Sequence, residues 1–281
     1  MVRIFFMAFK NTQEFIKKLE SENELKRISA EVDSVLEVTE IADRMSKTHG
    51  PALLFENVKD YDTPVITSVC TTTQRLALIM GMPLESTLVD LYEEWAKLGE
   101  NLIPPRQVEA SSAPCKENIV TGDDIDLFKF PVPQWYPLDG GRYIGTAHFI
   151  ISKDPETGWI NLGTYRSQLL GKNKMGTQFI KGKHADIMLK KYQALGKPMP
   201  VASVIGCDPL LFILGAARVS AFVSEYDVAG AIRGTPVEVV KGETVDLPID
   251  DVVEPFDLAR EIGEGNAAVG DHELAGAHRH A

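Results

Sequence analysis

Gly158-Trp-Ile-Asn-Leu-Gly-Thr-Tyr-Arg166 is the stretch around which the chain is read. It follows an apolar run, Ile144 to Ile151, and a turn of Asp154, Pro155, Glu156, Thr157 and Gly158. Two apolar segments joined by such a turn predict a β-hairpin with this stretch as its second strand. Strand alternation then sets Asn161, Gly163 and Tyr165 on one face and Leu162, Thr164 and Arg166 on the other. A glycine at 163 leaves a mid-strand gap, the mark of a bulge or of another group lying against the main chain.

Working outward, the downstream segments read mostly as strands: 118–120, 128–130, 143–151, 201–206 and 237–240, separated by Gly, Pro and Asp turns. Residues 185–195 read as a helix, with a second over 225–232. Many short strands and few helices predict a closed or split barrel. Upstream, the periods alternate. A helix capped by Asn11 or Thr12 runs toward Glu24, a strand spans 25–32, and a second helix from Ser34 stops at His49-Gly50-Pro51. Short strands at 52–55 and 64–69 precede helices over 74–80 and 88–98. This alternation predicts an α/β unit. The proline- and serine-bearing segment 101–118 has linker composition.

Composition narrows the class. The 281 residues are 44% hydrophobic and 25% charged, with 40 acidic against 29 basic side chains. A formal charge of -11 argues against a general nucleic-acid or anionic-membrane surface, which needs clustered Lys and Arg. Cys70, Cys115 and Cys207 are odd in number and widely spaced, so neither a disulfide framework nor a zinc knuckle is expected, and a reducing cytoplasm fits. The apolar start, Met1 to Phe9, is broken by Arg3 and too short to span a bilayer; a first strand or start-site extension is expected there.

Asn161, His184 and Glu225 each fall at the edge of a predicted element. An amide oxygen, an imidazole and a carboxylate suit Mn²⁺ or Mg²⁺ rather than a thiolate-seeking metal. Taken singly, His184 also reads as an exposed histidine and Glu225 as a helix-opening carboxylate.

Asn161-Leu-Gly-Thr-Tyr-Arg166, Lys183-His184 and Val223-Ser-Glu225-Tyr-Asp-Val-Ala-Gly-Ala-Ile-Arg-Gly234 together resemble successive motifs of the UbiD decarboxylases. The resemblance extends through Pro236 to Leu247, through Phe130-Pro-Val-Pro133 and Gly140-Gly-Arg-Tyr143, and back to Ala52-Leu-Leu-Phe-Glu-Asn-Val58. It implies a carboxy-lyase that reversibly decarboxylates an aromatic or α,β-unsaturated acid with prenylated FMN and Mn²⁺, with Mg²⁺ as the alternative metal and K⁺ as a further ion. A UbiX-type flavin prenyltransferase would supply the cofactor, and full-length relatives are homo-oligomers. Matched position by position, Asn161, His184 and Glu225 are the metal ligands and Arg166 is the catalytic arginine facing the substrate carboxylate. Gly163, Thr164, Tyr165 and Lys183 lie along the cofactor.

The implied fold is an N-terminal α/β domain (1–100), a linker (101–118) and a mainly-β split-barrel domain that binds prenylated FMN (119–250), α+β overall. The family pattern fails after about Asp250. Its Glu-Gly-Pro-Phe-Gly-Glu segment is missing, and residues 251–281 read as a divergent, disordered tail from a truncated or frameshifted reading frame. Without that acid pair, weak turnover or none is expected, since positioned acids contribute about 10² to 10⁴ in rate. Two other functions fit the architecture: a non-catalytic FMN-binding or subunit-like module of a larger decarboxylase or carboxylase, and a split-barrel flavin reductase. The second has no need of the metal triad.

Overall fold

The computed structural model describes Phe9, residues 12–97 and residues 101–250. The expectations for the first residues, for Asn11 as a cap and for the tail beyond 250 lie outside the described residues.

The first unit follows the predicted alternation. α1 (Thr12–Ser21) buries Phe15, Ile16 and Leu19 at helical spacing. β1 (Leu25–Ile28) leads to α2 (Glu37–Lys47), followed by β2 (Ala52–Phe55) and β3 (Val65–Thr67). β2 is central, parallel to β1 and antiparallel to β3. Lying between two strands and under two helices, its four residues are all buried, as a continuous apolar run requires. α3 (Thr73–Ile79) starts where the Thr72 hydroxyl accepts the Arg75 N–H. α4 (Leu88–Ala96) starts on a reciprocal Thr87–Asp90 capping box.

β4 (Arg106–Gln107) lies within the segment of linker composition, and that segment is docked rather than loose. The Ile103 N–H reaches the Asp227 carbonyl, and β4 runs parallel to a later strand. A Cβ on Gly230 would sit 2.3 Å from the Ile103 carbonyl oxygen, so that helix accepts the passing chain only because position 230 has no side chain. The strand expected at 128–130 is instead a 3-10 turn over Leu127–Lys129, held by the Asp126 carboxylate accepting the Phe128 N–H. No strand forms at 118–120.

The predicted hairpin is present. β5 (Tyr143–Gly145) precedes β6 (His148–Lys153), which pairs antiparallel with β7 (Ile160–Gly163) in the register Ile151 to Leu162 and Ser152 to Asn161. Its turn is an Asx turn: the Asp154 carboxylate accepts the N–H groups of Glu156 and Thr157. β8 (Ser167–Gly171) and β9 (Lys174–Thr177) add a second hairpin beside β5. Next come α5 (His184–Ala194), β10 (Val201–Ile205) on the open edge of β6, α6 (Pro209–Ala216), α7 (Glu225–Arg233), β11 (Glu238–Lys241) and β12 (Pro248–Asp250).

The described strands form four separate three-stranded sheets. The fold is mixed α/β, and no closed barrel is present among the described residues, which corrects the closed-barrel expectation. One physical signal explains the difference. The run Pro209-Leu-Leu-Phe-Ile-Leu is apolar all round, has no amphipathic period to announce a helix, and forms α6 as a buried helix capped by Asp208 with Pro209 in its first turn. Its Leu210 and Leu214 pack with Phe149, Ile151 and Leu162 of β6 and β7.

β6 is therefore sandwiched. Phe149 and Ile151 join Leu162, Leu210, Leu214 and Tyr226 in the main core, which extends to Phe15 and Leu19 of α1. Ile150, on the other face, packs with Tyr165 and Ala185 under α5. No helix among the described residues is long and apolar enough to cross a membrane, and no disulfide links Cys70, Cys115 or Cys207.

Candidate metal and cofactor site

β7 carries the site because α5 and α7 both begin beside it. Asn161 faces α5, and its Oδ1 lies 2.8 Å from Nδ1 of His184, the first residue of that helix. Leu162 faces the opposite way into the main core, and its backbone N–H donates to Glu225 Oε2 at 2.7 Å. Glu225 is the first residue of α7, after the Ser224 cap whose hydroxyl accepts the Tyr226 N–H. Two helix starts thus converge on adjacent residues of one strand: His184 meets the Asn161 side chain, and Glu225 meets the backbone of Leu162.

The chemistry of this donor set fits a divalent cation. Glu225 is 3% exposed. Burial pushes its carboxyl up to about 8, against the opposing pull of the Leu162 N–H and of its own backbone. No Lys or Arg among the described residues forms an ion pair with it. His184 is lowered by burial and by the Lys183 charge, which keeps the imidazole neutral, the form that binds metals. Nδ2 of Asn161 is buried without a hydrogen bond. Octahedral Mg²⁺ or Mn²⁺ with ligands near 2.1 Å sets adjacent donor atoms about 3 Å apart, and the Asn161–His184 contact is close to that spacing. Only two of the three side chains are of the His, Cys, Asp or Glu type, and no group of three such residues suited to a metal occurs among the described residues. The amide is therefore indispensable to this donor set.

The remaining predicted residues divide. Gly163 is required, but by a neighbour within the chain: a Cβ there would fall 2.3 to 2.7 Å from the ring and hydroxyl of Tyr165, which folds back over it. The Tyr165 hydroxyl accepts the Ala185 N–H at the start of α5. Burial raises its pKa, partly offset by that N–H and the Asn161 side chain. Thr164 ties β7 to α6 and β6, its N–H donating to the Gly215 carbonyl and its hydroxyl to the His148 carbonyl. Lys183 is exposed at the cap position of α5. Arg166 is exposed beyond the end of β7, its guanidinium 5.8 Å from the centroid of the Tyr143 ring.

Two residues with a bearing on the site were missed from the sequence. Trp159 sets its ring edge-on to His184, with centroids 4.8 Å apart. His148 is wholly buried beneath Thr164, and burial lowers its pKa to about 4. The signal for Trp159 was available, since an aromatic directly after a turn glycine and two residues before Asn161 shares its strand face; His148 carried none.

A mixed α/β protein with a cation-type donor set on a strand flanked by two helix starts is the class that fold and site define. The family model for the 3-octaprenyl-4-hydroxybenzoate carboxy-lyase Rift-related domain matches residues 106–254, and the one for the N-terminal domain of the same carboxy-lyase matches residues 16–95. The chain belongs to the UbiD family.

Solved structures agree. An evolved dimeric form of the UbiD-class enzyme HmfF from Pelotomaculum thermopropionicum, in complex with prFMN, is 32% identical with a TM-score of 0.80, over 86% of this chain and 55% of that one. Vanillic acid decarboxylase from Sedimentibacter hydroxybenzoicus, in closed form, is 30% identical with a TM-score of 0.83, over 87% and 53%. Apo 3,4-dihydroxybenzoic acid decarboxylase (AroY) from Klebsiella pneumoniae is 26% identical with a TM-score of 0.74, over 86% and 52%. The chain spans about half the length of these relatives. Membership of this family takes precedence over the flavin reductase as the reading of the chain.

Proposed function

We propose that this chain supplies the cofactor platform of a UbiD-class decarboxylase acting on an aromatic or α,β-unsaturated carboxylic acid. Asn161, His184 and Glu225 would hold a divalent metal, Mn²⁺ or Mg²⁺, which would supply positive charge for the phosphate of prenylated FMN. The observation that carries this reading is the Asn161–His184 contact of 2.8 Å beside a buried Glu225 docked on Leu162. One metal can neutralise a phosphate dianion despite the acidic chain.

When bound, prenylated FMN supplies the electron sink for loss of CO₂; the protein binds and orients. His184 would bind a cation as its neutral imidazole, and Glu225 would bind as the carboxylate, its proton passing to solvent. Gly163, Thr164 and Tyr165 form the wall along the cofactor, and Lys183 adds positive charge at the phosphate end. Arg166 grips the substrate carboxylate through two hydrogen bonds. The division into a unit over 1–100 and a split-barrel unit over 119–250, the cytoplasmic setting, supply by a UbiX-type prenyltransferase, K⁺ as an additional ion and homo-oligomer formation belong to the same proposal.

A non-catalytic FMN-binding module is the second reading, favoured by the position of Arg166 over Tyr143 rather than on Asn161 or His184. Co-expression with a flavin prenyltransferase separates the two. The first reading expects bound flavin absorbance, one metal per chain, and CO₂ release that falls at least tenfold in Arg166→Ala. The second expects flavin and metal with no CO₂ release. Protein that emerges free of both flavin and metal contradicts either.

A further inference from the structure

Trp159 touches the segments that carry all three proposed ligands. It stands two residues before Asn161 on the same chain segment. Its ring meets His184 edge-on, with centroids 4.8 Å apart and planes at 70°. Its indole N–H donates to the Val223 carbonyl at 3.1 Å, two residues before Glu225. Phe222, an exposed aromatic in the left-handed backbone region at φ 67°, tilts onto the same indole at 5.4 Å. A bulky residue pays a steric penalty for such a φ, and the penalty stands only where surrounding contacts hold it. Here the contact in view is the Trp159 ring.

We propose that Trp159 is a positioning residue of the metal site. Its ring fixes the plane of the His184 imidazole so that Nδ1 faces Asn161, and its N–H pins the Val223 carbonyl so that Glu225 enters α7 beside Leu162. The inference rests on the metal-binding reading given above. A hairpin aromatic that merely covered apolar surface would need neither the edge-on histidine nor a hydrogen bond to the chain leading into Glu225. Partners that orient a metal-binding histidine typically change metal affinity by about 10- to 100-fold when removed.

The test uses the full chain and Mn²⁺ alone, with free Mn²⁺ followed by electron paramagnetic resonance and thermal unfolding recorded for each metal-free variant. Trp159→Leu removes both contacts and should weaken Mn²⁺ binding about 10- to 100-fold. Trp159→Phe keeps an aromatic edge but no donor and should fall between that variant and the wild type. Mn²⁺ should also quench tryptophan fluorescence in the wild type, and the quenching should vanish in Trp159→Phe. Trp159→Leu binding within twofold of wild type overturns the proposal. Should Trp159→Leu fail to fold, Trp159→Phe within twofold overturns it.

Failure of the underlying reading looks different. Wild-type chain that binds no Mn²⁺, or binds it equally well as His184→Ala, removes the metal site and the positioning role together. Affinity lost in His184→Ala but kept in both Trp159 variants removes only the positioning role.

Discussion

Two buried ionisable groups sit in the two halves of this molecule, and they are treated in opposite ways. In the first unit the Arg75 side chain is wholly buried, and its guanidinium donates to Glu24 at 2.6 Å, to the Gly50 carbonyl at 3.0 Å and to the Thr71 hydroxyl at 2.6 Å. That cation is matched by the chain itself. In the second unit Glu225 is almost as deeply buried, yet a backbone N–H from Leu162 is its hydrogen bond across the chain and no cationic side chain among the described residues pairs with it. Burying a charge without a partner costs several kcal/mol, so a group so placed either stays protonated or awaits an ion. A matched charge marks architecture; an unmatched acid docked on the residue next to Asn161, itself in contact with His184, is what the proposed cation site would use.

The widest separation between the two regions should appear in their pH dependence. Glu225 is raised to about 8 from 4.5, so the native chain holds a proton that the unfolded chain releases between those values. Stability of the metal-free protein should fall as pH rises from 4.5 toward 8, by up to about 5 kcal/mol at 1.36 kcal/mol per unit. Glu225→Gln should flatten the slope, and Mn²⁺ should restore stability at high pH in the wild type alone. Urea unfolding across that range checks this; a slope unchanged in Glu225→Gln would break the contrast.

Removing the matched cation acts on stability only. Arg75→Met strips a partner from Glu24 and leaves Gly50 and Thr71 unsatisfied, at a cost of about 4 kcal/mol in urea unfolding. Mn²⁺ affinity should stay within twofold of wild type. A shift in metal binding comparable to that in stability would show that the two regions are not independent.

His148 sharpens the comparison from the acid side. Its folded value of about 4 lies below the ordinary 6.5, so stability is fully present above 6.5 and is lost as pH falls toward 4, by about 3 kcal/mol. His148→Leu should remove that acid-side loss and leave the Glu225 slope untouched. The smallest effect is expected from Gly163→Ala. Its Cβ would displace the Tyr165 ring from above β7, costing about 2 kcal/mol in thermal unfolding by overpacking and weakening Mn²⁺ binding through movement of the Ala185 end of α5.

The hairpin was legible because its turn residues and its two apolar runs agree, and the first unit because amphipathic helices such as α1, with Phe15, Ile16 and Leu19 buried, alternate with short apolar strands. α6 was not legible, since five consecutive apolar residues from Leu210 to Leu214 carry no period, and that omission misled the closed-barrel expectation. β8 and β9, rich in Ser, Gln and Gly, lack the alternation that marks a strand. Residue types at the site could be read from the sequence, but their meeting could not. Nothing in the spacing of positions 161, 184 and 225 brings them together; the family resemblance supplied it, and two helix starts beside one strand give it a physical cause. The gap read at Gly163 does hold a group against the main chain, the ring of Tyr165 from the same chain.

The most direct measurement is anomalous diffraction at the manganese edge from crystals of the full chain grown with Mn²⁺. A single peak bounded by Oδ1 of Asn161, a ring nitrogen of His184 and the carboxylate of Glu225 is the predicted result. An empty position there, with these side chains still arranged as they are without metal, would contradict the claim that the buried acid on Leu162 belongs to a cation site.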